Sequence, residues 1–375
     1  MAAAAISHHD AREMLLESDH AKAARGLMNA ARIILAAAFA LGYATDARAI
    51  AFSWATIGNA GNPADIIPGP FGLEFYGAVD HPYRISQHEV TNAQYVEFLN
   101  SVDPSGANVL ELYNASMTTH ILGGILHDAS APVGSTYAAK SGRGQNPVNF
   151  VSLLDAMRFV NWLDNGQASG GTEDGVYAVA DGSSEVRAPG ATYFLPTDDE
   201  WYKAAFHQND GATGNYWDYP TGTDVAPTDS DPPGTLAADP SNTGNFFDEQ
   251  YLQGYGPDDQ SQNWLTDVGA YALATSPYGT FDQAGNVSEW TESRAASQFP
   301  SGGLPIVRGT RWNDLAGGSD VTRWGGVAPD VEASTLGFRI AMTPEPPAMI
   351  LACFVAIGLL AVARGRRVNR GKADA

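Results

Sequence analysis

An irregular, loop-rich α+β domain is the fold class that this 375-residue sequence predicts. Three observations carry it. Hydrophobic residues make up 44% of the chain and charged residues 17%, enough apolar material for one sizeable core. Glycine (40) and proline (22) are abundant and aromatics reach 10%, the composition of loops pinned by Trp, Tyr and Phe rather than of long regular elements. Helical periodicity is confined to three short stretches, and neither a repeat period nor a linker between two cores is visible. One domain over residues 50–343 is therefore expected, flanked by two terminal segments of different character.

In the first of these, residues 1–49, Lys22, Arg25 and Arg32 precede an apolar run at 33–44, and Ala47-Arg48-Ala49 then sets small residues two apart. Basic, apolar and cleavage regions in that order predict a secretory signal cut after Ala49. The apolar residues cover every face of the run, unlike the stripe of a buried amphipathic helix. Such a signal has no use for the polar leader ahead of Met28, which makes Met28 a candidate start. The second segment, 344–372, runs from Pro344-Glu345-Pro346-Pro347 through an apolar stretch at 348–363 into Arg364, Arg366, Arg367, Arg370 and Lys372. An apolar stretch closed by a basic cluster predicts a membrane segment halted with its basic end in the cytoplasm. At about 1.5 Å per residue it is short for a permanent span. The order Pro-Glu-Pro, apolar helix, arginine cluster resembles the PEP-CTERM sorting signal, which implies an exosortase-type sorting machinery as partner and removal of the tail.

With 21 basic and 42 acidic side chains the chain carries a formal charge of −21, and the basic residues are concentrated at the two ends. A body this acidic excludes nucleic acid as a partner, since phosphate binding needs a basic surface. Divalent cations are its natural counter-ions. The single cysteine, Cys353, lies in the apolar tail, so the body can form no disulfide and offers no thiolate.

Within the body, helices are expected at 91–102, 152–165 and 197–207, each opened by a Ser or Thr suited to capping free N–H groups. Thr197 and Glu200 form a capping box just after Pro196, and Trp201, Ala204 and Ala205 then give the helix an apolar face. The Pro-, Gly-, Asp- and Thr-rich stretches at 219–245 and 254–262 read as surface loops.

The segment FDQAGNVSEW (281–290) is a turn in which a side-chain oxygen, main-chain carbonyls and a carboxylate can converge on a hard cation. The plainer alternative is a structural turn in which Asn286 and Glu289 cap backbone groups and Trp290 fills the core. Four segments in order, YRISQHEVTNAQYVEFLN (83–100), LPTDDEWYKAAF (195–206), FDQAGNVSEWTES (281–293) and VRGTRWND with LGFRIA (307–314, 336–341), resemble the sulfatase-modifying factor, or formylglycine-generating enzyme, family. That resemblance implies a compact C-type-lectin-like fold. It also implies calcium held by the Asp282 side chain, the Gly285 and Val287 carbonyls and the Glu289 carboxylate, with a second site built from Asn245, the Phe246 carbonyl and an aspartate such as Asp259.

The family's oxidases bind copper(I) through two cysteines, because soft thiolates suit that metal. Asp314 and Ser319 stand at those positions here, so copper is not expected as a cofactor. Iron is not expected either: His120 and His127 are too far apart for adjacent helical turns, and His88-Glu89 falls in the EVTNAQY motif, where a structural role is expected. Arg311, Trp312, Asp314, Arg323 and Trp324 cluster at the region equivalent to the family's groove. They could stack on and hydrogen-bond a saccharide or peptide, or serve as core tryptophans and as arginines satisfying Asp320 and Glu332. The function expected is an exported, calcium-stabilised, non-catalytic ligand-binding or envelope protein of the periplasm or cell surface, attached to the membrane through its C-terminal segment. The alternative is a formylglycine-generating-type oxidase or non-haem iron oxidoreductase with a divergent site.

Overall fold

Each of the three expected helices begins at a hydroxyl side chain that closes its first turn. The structure, a computed structural model, describes residues 50–69, 72–167, 171–230, 241–246, 262–295 and 303–344. Helix α1 (Asn92–Val102) is capped by Thr91 with Gln94 returning the bond. Helix α3 (Leu153–Asp164) is capped by Ser152 with Asp155, and α4 (Asp198–Phe206) by Thr197 with Glu200. All three are full capping boxes, in which two otherwise orphaned N–H groups are satisfied reciprocally. A single turn, α2 (Ser116–Thr119), has no side-chain cap and was not anticipated from periodicity.

The strands are short, as the glycine and proline content demands. Strands β1 (Trp54–Ile57) and β4 (Tyr83–Ser86) pair antiparallel, and β2 (Asp65–Gly69) and β3 (Gly72–Tyr76) form a hairpin, as do β5 (Ile125–His127) and β6 (Tyr137–Ala139). Strand β7 (Tyr193–Phe194) joins the first sheet, while β8 (Thr228–Asp229) and β9 (Thr243–Gly244) make a two-residue parallel pair inside the expected surface stretch. The second sheet is built from β10 (Ser288–Arg294), β11 (Pro305–Arg308), β12 (Trp324–Gly326) and β13 (Leu336–Phe338) in the order β12-β11-β10-β13. Strand β14 (Ala341–Met342) closes the first sheet, whose order is β1-β4-β14-β7.

These elements belong to one compact unit that begins at Ala51. Between them lies an aromatic core: Phe159 of α3 meets Phe98 of α1 and Phe338 of β13 at ring-centroid distances of 5.3 Å each, and Trp162 packs 5.3 Å from Phe98. Edge and tilted contacts of this kind hold short elements that could not persist alone. Among the described residues no helix is long and apolar enough to cross a membrane. The expected secretory signal, the 348–363 run and Asp259 all lie outside the described residues.

Candidate metal centre

The turn that leads into β10 is held in an unusual backbone path. Asp282, Gly285 and Asn286 all have positive φ, at 61°, 106° and 60°. Asp and Asn tolerate this left-handed region better than other side chains. At 285 only glycine fits, because a Cβ there would come within 2.4 Å of the Asn245 carbonyl oxygen. That closeness reflects a bridge between Asn245 and Gly285. Asn245 also donates through Nδ2 to Asn286 Oδ1 at 3.0 Å, and Asn286 N donates to the Asn245 carbonyl at 3.2 Å. Gly285 N is received by Thr310 Oγ1 at 2.9 Å, and Trp312 N by the Asn286 carbonyl at 2.8 Å. Residues of both sequence-derived calcium sets, Asn245 and the 282–289 segment, are thus brought side by side.

Beneath the turn sits a buried charge cluster. Glu289 is fully buried, and Arg339, equally buried, grips it through Nε–Oε2 at 2.5 Å and an NH2–Oε1 bond at 2.7 Å. Trp201 Nε1 adds a third donor to Glu289 at 2.7 Å. Arg339 also donates to the carbonyls of Ser86, Gln87 and Phe281. Asp282 accepts from Gly269 N at 2.6 Å, and its carboxyl is raised to about 6, first by burial and also by Glu289. Glu89 is 2% exposed, with burial and then the charges of Asp282 and Glu289 pushing its carboxyl well above the usual carboxylate range.

Three buried carboxyls thus face one guanidinium, and a cavity of ≈ 10 Å³ beside Asp282, lined in part by Thr280 and Gln283, has room for a single water-sized occupant. Among the described residues no three His, Cys, Asp or Glu side chains could hold a metal ion by themselves. Main-chain carbonyls would have to complete the shell, which suits calcium, a cation that takes six to eight oxygens in flexible geometry. Among the described residues Asp282 is the expected ligand that lines this cavity, and both oxygens of Glu289 are already engaged by Arg339.

Two arginines of the quoted motifs carry the local architecture, though neither was assigned a role from sequence. Arg308 of β11, fully buried, meets Asp198 at the start of α4 at 2.5 and 3.0 Å, with its guanidinium 4.3 Å from the Tyr76 ring. Arg339 follows β13, whose parallel pairing sets Gly337 opposite Glu289. A Cβ at Gly337 would lie 2.6 Å from the Val148 carbonyl, which explains the glycine of LGFR. The available signal was an arginine set among apolar residues, which requires a buried partner.

At the groove positions, Asp314 is held by Arg323 NH2 at 2.5 Å and by Arg311 Nε at 3.4 Å. The arginines therefore satisfy Asp314 rather than Asp320 or Glu332; Asp320 accepts from Thr322 and Glu332 accepts from Asn114 Nδ2. Trp312 is a core residue, 5% exposed against Leu122, Leu265 and Val287, whereas Trp324 stays half-buried in β12. Ser319 is 2% exposed and donates to the Ala316 carbonyl at 2.7 Å. His88 stacks on Phe281 at 4.9 Å, the structural role expected of it.

A second titratable site escaped the sequence reading. In a cleft of ≈ 410 Å³, His81 bridges Asp80 (Nδ1–Oδ1, 2.9 Å) and Glu200 (Nε2–Oε1, 3.0 Å). Glu200 is also held by Arg187 at 2.8 Å. Burial alone would raise Glu200, but His81 and Arg187 overcome it and hold the carboxyl at about 2. The Glu200 bond raises His81 above its ordinary 6.5. A raised histidine contributes stability that is complete below 6.5 and is lost as pH climbs through the folded value. Urea unfolding should show wild type losing up to about 1 kcal/mol relative to His81→Gln as pH rises from 6 to 9, a small effect because the ring is half-exposed. Parallel pH profiles for the two proteins would disprove the coupling.

A loop-rich α+β domain with capping-box helices, a GNxxEW turn over a buried Glu–Arg pair and an LGFR strand defines the class to which this protein belongs. Residues 77–344 match the sulfatase-modifying factor enzyme 1-like domain, and the chain is a member of that family. Among curated proteins it is 31% identical over 159 residues to the inactive C-alpha-formylglycine-generating enzyme 2 of Mus musculus, covering 41% of this chain and 44% of that one. The Bos taurus counterpart is 32% identical over 154 residues, or 39% and 43% of the two chains. The chain thus spans under half the length of these curated relatives. Among solved structures it is similar to CarF, with 18% identity, a TM-score of 0.46, and coverage of 79% of this chain and 99% of that one.

Proposed function

We propose that this protein is an exported, calcium-stabilised, non-catalytic member of the family that binds a ligand at the cell envelope. The observation that carries the reading is the state of the two positions where the family's oxidases keep cysteines. Asp314 is bound by two arginines and Ser319 is buried against a carbonyl, so neither offers copper(I) a soft donor. The relatives' own names describe them as inactive formylglycine-generating enzymes, in keeping with this reading. Calcium at the Asp282 turn is supported by the three buried carboxyls gathered beneath it, and by the backbone path at Asp282, Gly285 and Asn286. Export and membrane attachment rest on the basic–apolar–small order before Ile50 and on the Pro-Glu-Pro tail. The partly exposed guanidiniums of Arg311 and Arg323, joined at Asp314, suit a saccharide or peptide with hydrogen-bond acceptors.

The test has two arms. Purified protein given a cysteine-containing sulfatase-type peptide with copper, oxygen and a reductant should yield no aldehyde by mass spectrometry; turnover above the metal-only control would overturn the non-catalytic reading. Thermal unfolding should rise with calcium and fall with chelator, by about 2.7 kcal/mol at a calcium concentration one hundred times the dissociation constant. Superimposable melts would remove calcium.

A further inference from the structure

We propose that the outer face of the first sheet, where Trp54, Arg84 and Tyr193 meet, is the surface by which this domain lies against a lipid bilayer. The inference rests on the membrane attachment proposed above and says which side of the domain the membrane meets.

The register of the sheet fixes its two faces. Ala55, Ile85, Ala341 and Phe194 pair in one row across β1, β4, β14 and β7, and all four are buried in the core. Side chains alternate along a strand, so the neighbouring row of Thr56, Arg84, Met342 and Tyr193 points the other way, with Trp54 two residues before Thr56 on the same side. Strands β1 and β7 are the edges of this sheet, about 14 Å apart by ordinary strand spacing. The Trp54 and Tyr193 rings nevertheless stack with centroids 6.1 Å apart, roofing the two middle strands.

The roof is apolar in body and open at its polar tips. Trp54 Nε1 and Tyr193 Oη bond to no group among the described residues. The Arg84 guanidinium lies 6.0 Å from the Trp54 ring, makes no hydrogen bond or ion pair among the described residues, and has its Nε buried without an acceptor. Every other described arginine has a carboxylate or carbonyl partner. Trp and Tyr settle at the headgroup level of a bilayer, where an arginine meets lipid phosphate.

The course of the chain selects a bilayer over a soluble ligand. Met342 belongs to this row, and five residues, Thr343 to Pro347, separate it from the apolar run at 348–363. They reach at most about 20 Å, whereas a compact domain of this length is roughly 45 Å across. With that run in a membrane, the domain cannot turn its far side to the lipid, and the face flanking the exit is brought to it.

Fluorescence quenching in vesicles of phosphatidylethanolamine and phosphatidylglycerol tests this. Full-length Cys353→Ser protein takes a bimane label either at Thr56→Cys, exposed on this face, or at Val109→Cys, exposed in the loop after α1. Lipid spin-labelled at the headgroup should quench the first label about threefold more than the second, as contact at headgroup depth requires. Adding Arg84→Glu should bring the two signals together without lowering the melting temperature, since Arg84 holds no polar partner within the described domain. Equal quenching at both sites, in protein that floats with the vesicles, would overturn the assignment and leave membrane attachment standing. Protein that does not float would bring down attachment and assignment together. A Thr56→Cys label blind to lipid but shifted by soluble dextran would give the face to a saccharide instead.

Discussion

Replacing Arg339 with methionine should lower the unfolding free energy by ~3–5 kcal/mol, the cost of stranding one partner of a buried ion pair. Glu289 would keep only the Trp201 N–H, the Ser86, Gln87 and Phe281 carbonyls would lose the guanidinium, with Gln87 keeping Phe281 N as a donor, and the cluster of Glu289, Glu89 and Asp282 would have no cation among the described residues to offset it. Because whole domains are stable by about 5–15 kcal/mol, the variant will sit near the edge of folding. Calcium should rescue part of the loss, since it would become the one positive charge in the cluster. Pairing Arg339→Met with Glu289→Leu should recover another part but not all, as the Trp201 indole is then left without an acceptor. Urea titrations of the single and double variants measure this directly. A loss under about 1 kcal/mol in Arg339→Met would mean that the pair is not the ionic keystone described here.

Trp290→Ala is expected to cost about 3–5 kcal/mol by a different route, the opening of a cavity in a packed core. Trp290 has no exposed surface, pairs with Val307 on one side and Phe338 on the other, and donates through Nε1 to the Val151 carbonyl at 3.0 Å. That bond ties the second sheet to the residue just ahead of the α3 cap. Trp290→Phe keeps most of the ring but strands the Val151 carbonyl, so it should lose about 1–3 kcal/mol. If the two variants unfold at the same urea concentration, the hydrogen bond rather than the ring volume dominates, and the cavity argument fails.

What could be read in the sequence was whatever is decided within a few residues. Thr91, Ser152 and Thr197 each have a partner three positions on, so the helices and even their caps were legible. The Asp282–Glu289 turn showed itself through its Asp, Gly and Asn, which are the residues that tolerate its backbone. What could not be read was pairing across the chain. Arg339 finds Glu289 from 50 residues away, and His81 finds Glu200 from 119. No local pattern announces such partners, which is why Glu89 passed for a strand-to-helix residue and His81 went unnoticed. The tryptophans near the groove failed for another reason. Stacking and core tryptophans look alike in sequence, and only burial separates Trp312 from Trp324.

The position of β14 in the first sheet bears on how the protein is made. Ala341 and Met342 lie between β4 and β7, pairing with Ile85 on one side and Phe194 on the other. A chain emerging N-terminus first therefore lacks the middle strand of that sheet until nearly the last residue of the domain is out. Arg339, two residues earlier, is withheld just as long, so Glu289 stays without its cation until then. Closure must await contacts of the longest sequence separation, the slowest kind to form. Until then β4 and β7 have no strand between them, and the first sheet is joined only when the last strand arrives.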